Sequence, residues 1–173
     1  MNVYRITLIS IFATLSVIGR YAFAFLPNVQ PVTSIIIISG FFLGPISAIL
    51  LAIVVTFLSN MLLGMGIWTI WQIVAWGIIG FISGLIGKFC KKIPIYVVLF
   101  YAIFSGYFYG FIVSLTTYQV TGSFWPYYIL GLPMDTYHAI GNGFFILFLY
   151  PLVSFLMKKY INDHFTVQNT TKH

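Results

Sequence analysis

The sequence predicts an all-α integral membrane protein, a bundle of six transmembrane helices with the N and C termini both in the cytoplasm. Three observations predict it. Apolar residues make up 61% of the 173-residue chain and charged residues 6%. Two carboxylates and eight cations cannot cover a water-facing surface of that size. Apolar runs near the length needed to cross a hydrocarbon core, roughly 20 residues, recur along the chain. The few cations punctuate those runs at Arg5, at Lys88, Lys91 and Lys92, and at Lys158 and Lys159. The formal charge of +6 is therefore no nucleic-acid footprint, because it marks contact with the lipid headgroups on one side of a membrane.

The elements follow in order. The first span covers about Tyr4 to Leu26 and stops at Pro27, since proline lacks an amide hydrogen and pushes its predecessor out of helical geometry. The run Ile6 to Leu26 has no small-residue cleavage site and is expected to stay as a helix. PNVQP, residues 27 to 31, connects it to a second span, Val32 to Leu43, which is short for a full crossing and ends at Gly44-Pro45. A third runs from Ile46 to Leu63, and GMGIW turns the chain into a fourth, Trp68 to Gly87, closed by KFCKK. The fifth covers Ile95 to about Tyr118. A polar-aromatic loop over 119–133 then leads to the last span, Met134 to Met157. Residues 1–160 form one membrane domain, and 161–173 a polar cytoplasmic tail.

Six crossings put every basic cluster on one side, which the positive-inside rule makes the cytoplasm. PNVQP, GMGIW and the 119–133 loop then face outward. The single cysteine, Cys90, excludes an intrachain disulfide. No sequence repeat supports an inverted-repeat carrier.

Polar groups inside a membrane need a reason. Arg20 and Asp135 share a depth near the outer surface, as a structural ion pair or as groups that face a ligand. Asp135, His138 and Asn142 fall on one helical face by their spacing. His138 is placed to bond Asp135, a ligand or a metal; with no second His or Cys on that face, a metal site of the protein itself is not expected. Asn60 and Gln72 are further buried amides. In WTIWQIVAW, Trp68 suits an interfacial aromatic belt, whereas Trp76, two turns deeper, suits the lining of a cavity together with Trp71. Aromatic rings beside amides fit a large, flat, polar-rimmed organic molecule.

Catalysis has little to work with. The chain has no P-loop, no HExxH, no Cys cluster and no pair of carboxylates at plausible spacing, so it is expected not to be an enzyme and not to hydrolyse ATP.

The segments NVQPVTSIIIISGFFLGP, GIWTIWQIVAWGIIGFISGLIGK and LPMDTYHAIGNGFFILFLYP, taken together over essentially the whole chain, resemble the substrate-binding S-components of energy-coupling factor (ECF) vitamin transporters. Within them the chain looks most like the cobalamin-specific branch. The resemblance implies a multi-pass protein of a prokaryotic cell membrane that captures a vitamin from outside and topples in the membrane to release it inside. It implies as partners a transmembrane coupling subunit of the EcfT type and two cytoplasmic ATPase subunits, where ATP is used; no cofactor beyond the cobalamin substrate is implied. Docking in this family uses small residues four apart on the first helix, which match Ala13 and Val17 here, valine replacing the second alanine. Cobalamin presents a corrin edge of amides, which suits hydrogen bonds from Asn28, Gln30, Gln72 and Asn142, packing on Trp71 and Trp76, and contributions from Asn60, Asp135 and His138. The competing readings are an S-component for riboflavin or a queuosine precursor, a self-sufficient proton-coupled carrier with Asp135 and His138 as its relay, and a membrane scaffold or lipid enzyme.

Overall fold

A computed structural model describes residues 3–90 and 93–170, with side chains described as far as Met157. Lys91, Lys92 and the side chains of Lys158 and Lys159 lie outside the described residues. The helices are α1 (Val3–Ala22), α2 (Val32–Leu43), α3 (Pro45–Leu63), α4 (Trp68–Phe89), α5 (Ile95–Val113), α6 (Leu115–Thr121) and α7 (Trp125–Thr170). No strand occurs among the described residues. α6 continues α5 after a break at Ser114, whose hydroxyl bonds the Gly110 carbonyl, so the chain forms six rods.

Five of these rods are long and apolar enough to cross a membrane. α2 is not. Its 12 residues rise only about 18 Å. It is the central strut of the bundle, packed against α1, α3, α4, α5 and α7. Every residue from Val32 to Gly40 is buried, which explains why α2 is apolar or small on all sides and carries no amphipathic stripe. Close approach to α4 depends on small residues. A Cβ at Gly84 would fall on the backbone of Pro45, and one at Gly80 would lie 2.9 Å from Ala48 and Ile36.

The start of α2 is set back inside the bundle. A Cβ at Gly19, in the last turn of α1, would fall on the ring of Pro31. Residues 23–31 therefore fold back against the bundle above the short helix, with Asn28 in the left-handed region at φ 60°. At the opposite end Arg5 and Lys88 line one groove beside Gly44 and Pro45. The bundle thus has a basic end and an amide-rich end, as the charge pattern predicts.

The loop expected over 119–133 is corrected. α6 runs to Thr121 and α7 starts at Trp125, nine residues before the expected Met134. Pro126 falls in the first turn of α7, where no amide hydrogen is needed. Pro133 lies inside the helix and forfeits one backbone bond, and packing of α7 along α5 holds the helix through it.

Candidate functional site

At the amide-rich end a recess of about 290 Å³ opens between α1, the 23–31 segment, α4 and α5. Its polar lining is Arg20, Asn28, Gln30, Gln72 and Tyr109. The recess exists because α2 is too short to fill the bundle to that level.

A continuous polar network forms its floor. Arg20 Nη1 donates to Asn60 Oδ1 at 2.8 Å and to the hydroxyl of Ser59. Asn60 Nδ2 donates to Gln72 Oε1 at 2.7 Å and to Thr69 Oγ1 at 2.9 Å. Gln72 Nε2 donates to the Tyr109 hydroxyl at 2.8 Å. Asn60 is thereby the hub that holds Arg20 and Gln72 at the recess, and no carboxylate takes part. The Arg20 guanidinium carbon also lies 5.3 Å from the Trp76 ring centroid, a cation–π contact that offsets part of its desolvation.

A second chain of bonds fixes the wall. Trp76 Nε1 donates to Thr33 Oγ1 at 2.8 Å, and Thr33 lies 2.8 Å from His138 Nε2. His138 Nδ1 is 2.9 Å from the Asn28 carbonyl. An indole only donates and a carbonyl only accepts. The neutral imidazole with its proton on Nδ1 satisfies every group: Thr33 receives from Trp76 and gives to Nε2, and Nδ1 gives to Asn28. Trp76, Tyr109 and His138 stack at centroid separations of 4.8 and 4.9 Å. Asn28 Nδ2 donates to the Met134 carbonyl at 3.1 Å. The 23–31 segment is therefore tied to α7 at two points.

The predicted site residues divide accordingly. Asn28, Gln30 and Gln72 line the recess, and Asn60 lies behind it. Gln30 is 7% exposed, and its amide has no hydrogen-bond partner among the described residues. Trp76, expected to line a cavity, is fully buried at 0% exposure and backs the recess through Thr33 and Tyr109. Trp71 stands to one side, bonded to Gln119 at 3.2 Å. Asn142 is buried deeper, donating to the Ala102 carbonyl at 3.2 Å. Arg20 and Asp135 form no ion pair, because Asn60 and Ser59 take the guanidinium while Asp135 faces Gly110. His138 does not bond Asp135 either. Both of its nitrogens are engaged, so in this arrangement neither is open to a metal ion. Ala13, 4% exposed, belongs to the core, and Val17 packs against it. The outward face of α1 carries Thr7, Ser10 and Thr14 instead.

Tyr109 and Thr33 were not singled out by sequence. Tyr109 is one of 12 tyrosines in a run of aromatic residues, and only its neighbours in space distinguish it.

The model of the family "ECF transporter, substrate-specific component" matches residues 4–162. The chain belongs to that family. It is accordingly a multi-pass membrane protein and the substrate-binding subunit of an ECF transporter, a binding component and not itself an enzyme. Membership accounts for a polar recess built without catalytic carboxylates. No solved structure matches the chain.

Proposed function

We propose that this S-component captures a vitamin, cobalamin, at the recess above α2. Asn28, Gln30 and Gln72 would meet the amide edge of the corrin, and Arg20 an acceptor such as a carbonyl or phosphate oxygen. Asn60, Trp76 and His138 would hold those groups in place, with Trp71 and Asn142 at the margins of the site. The observation that supports this reading is Gln30, a nearly buried carboxamide lining the recess without a partner of its own. That amide opens to the recess, so a ligand can bond it without breaking any bond of the fold. At about 290 Å³ the recess would take one edge of cobalamin, with the rest of the corrin lying outside against the aromatic start of α7.

The same volume favours a second reading. It lies at the lower end of ligand pockets, and riboflavin or a queuosine precursor would enter it more completely. The amide-rich end would face outward and the basic end the cytoplasm. There an EcfT-type coupling subunit and two ATPases would drive toppling and release in a prokaryotic cell. Docking would use the outward face of α1, where Thr7, Ser10 and Thr14 bond their hydroxyls back to the helix and leave a shallow surface.

Mass spectrometry of the vitamin retained on purification, followed by calorimetry with cobalamin, riboflavin and a queuosine precursor, tests the assignment. Cobalamin binding that weakens in Gln30→Ala is expected. Riboflavin binding without cobalamin binding would move the assignment to the second reading, and accumulation by the chain alone in vesicles would overturn the partner-driven mechanism.

A further inference from the structure

Asp135 is the one acidic side chain among the described residues, and it is spent on nothing that the fold needs. It is 5% exposed and makes no hydrogen bond among the described residues, and its Oδ2 is buried without a partner there. The neighbouring donors are committed elsewhere. His138 gives Nδ1–H to Asn28, Arg20 is held by Asn60 and Ser59, and the Tyr107 hydroxyl pairs with Thr136. The Tyr109 hydroxyl accepts from Gln72 and does not bond Asp135, although it lies within electrostatic range of both Asp135 and Arg20. Tyr128 lies within that range of Asp135 from the same helix.

The space around the carboxylate is provided from across the interface. A Cβ at Gly110 would coincide with the carboxylate atoms, so glycine on α5 is what lets Asp135 point there. Asp135 also follows Met134, whose carbonyl holds Asn28 at the recess, which puts it beside the recess wall. A buried carboxylate that no donor satisfies is costly, and folds keep such groups where a ligand completes them.

We propose that Asp135 selects a substrate by its hydrogen-bond donors, favouring an amide N–H or a protonated amine over the corresponding carboxylate. This rests on the reading that the neighbouring recess binds a vitamin. Arg20 and Asp135, both within electrostatic range of Tyr109 and not paired with each other, would then set the polarity of the bound molecule: acceptors toward α1 and donors toward the junction of α5 and α7.

The test uses the full chain in lipid nanodiscs, as parent, Asp135→Asn and Gly110→Ala. Each is titrated with cobalamin and with a cobalamin monocarboxylic acid in which one side-chain amide is hydrolysed, and each is melted without ligand. The parent is expected to prefer the amide form by about tenfold, and Asp135→Asn to reduce that preference to about twofold. Gly110→Ala, which displaces the carboxylate without removing it, should weaken binding of the amide form. Ligand-free Asp135→Asn should melt about 3 °C higher, because an unmatched buried charge is gone. A fall of that size would mark Asp135 as structural and overturn the proposal, as would an undiminished preference in folded Asp135→Asn. A parent that binds neither form sinks the cobalamin reading alone, and the melting comparison then decides the role of Asp135.

Discussion

His138 Nδ1 donates to the carbonyl of Asn28 at 2.9 Å, across 110 residues of sequence, and this bond closes the wall of the recess. Phenylalanine at 138 would keep the stack on Tyr109 but strand the Asn28 carbonyl and the Thr33 hydroxyl. His138→Phe is expected to destabilise the protein by about 2 kcal/mol and to weaken vitamin binding with it, as read by thermal melting and calorimetry. Asn28→Gly keeps the backbone bond and tolerates the positive φ, so it should cost less than about 1 kcal/mol, whereas Asn28→Val should cost clearly more.

Gln30 should behave in the opposite way. Its amide supports nothing in the fold, so Gln30→Ala is expected to leave the melting temperature near that of the parent. Vitamin affinity should fall by about 3- to 10-fold, the loss of one hydrogen bond. Calorimetry and melting on the same preparation separate the two effects, and a large drop in stability would return Gln30 to the fold.

Asn60 joins α1 to α4 through Arg20, Thr69 and Gln72. Asn60→Ala removes three hydrogen bonds and leaves the guanidinium with Ser59. A loss of about 3 kcal/mol is expected, measured as reduced folded yield and a lower melting point. Folded Asn60→Ala protein with parental stability would show that the network is dispensable.

On α1 the two faces should respond differently to bulk. Ala13→Trp introduces a large side chain into the core and should lower the folded yield in isolation. Thr14→Trp changes the outward face, so it should fold and bind vitamin normally while losing uptake in the assembled transporter. Size-exclusion profiles and vesicle uptake distinguish the two. Normal uptake by Thr14→Trp would clear this face of α1 of a docking role.

The contact of α4 with the turn between α2 and α3 leaves no space at Gly84. Gly84→Leu should destabilise the protein by at least about 2 kcal/mol, since the atom it meets is backbone and cannot rotate away. Melting of the purified variant checks this, and Gly77→Leu, with open space around it, serves as the control.

The sequence by itself determined the membrane class, an all-helical bundle, the separation of a basic end from an amide-rich end, and the family, whereas its six crossings become five helices of spanning length and the short α2. These were legible because lipid acts on each segment locally: a run of about 20 residues must be apolar whatever its neighbours are, and its charges must lie near its ends. The amides of PNVQP were visible for the same reason, as polar groups that a membrane protein does not keep without a use.

Only the tertiary structure decided what each polar group does. The central position of α2 was hidden, because a helix surrounded by protein and one surrounded by lipid both read as apolar on all sides. The helix through 125–133 was hidden by its prolines and aromatics, whose local signal is overridden by packing on α5. Arg20 was placed at the depth of Asp135 by its sequence position, but its partners are 39 and 40 residues away on α3. Depth follows from counting residues along one helix. Partnership depends on the rotation and packing of several helices, which no local spacing encodes.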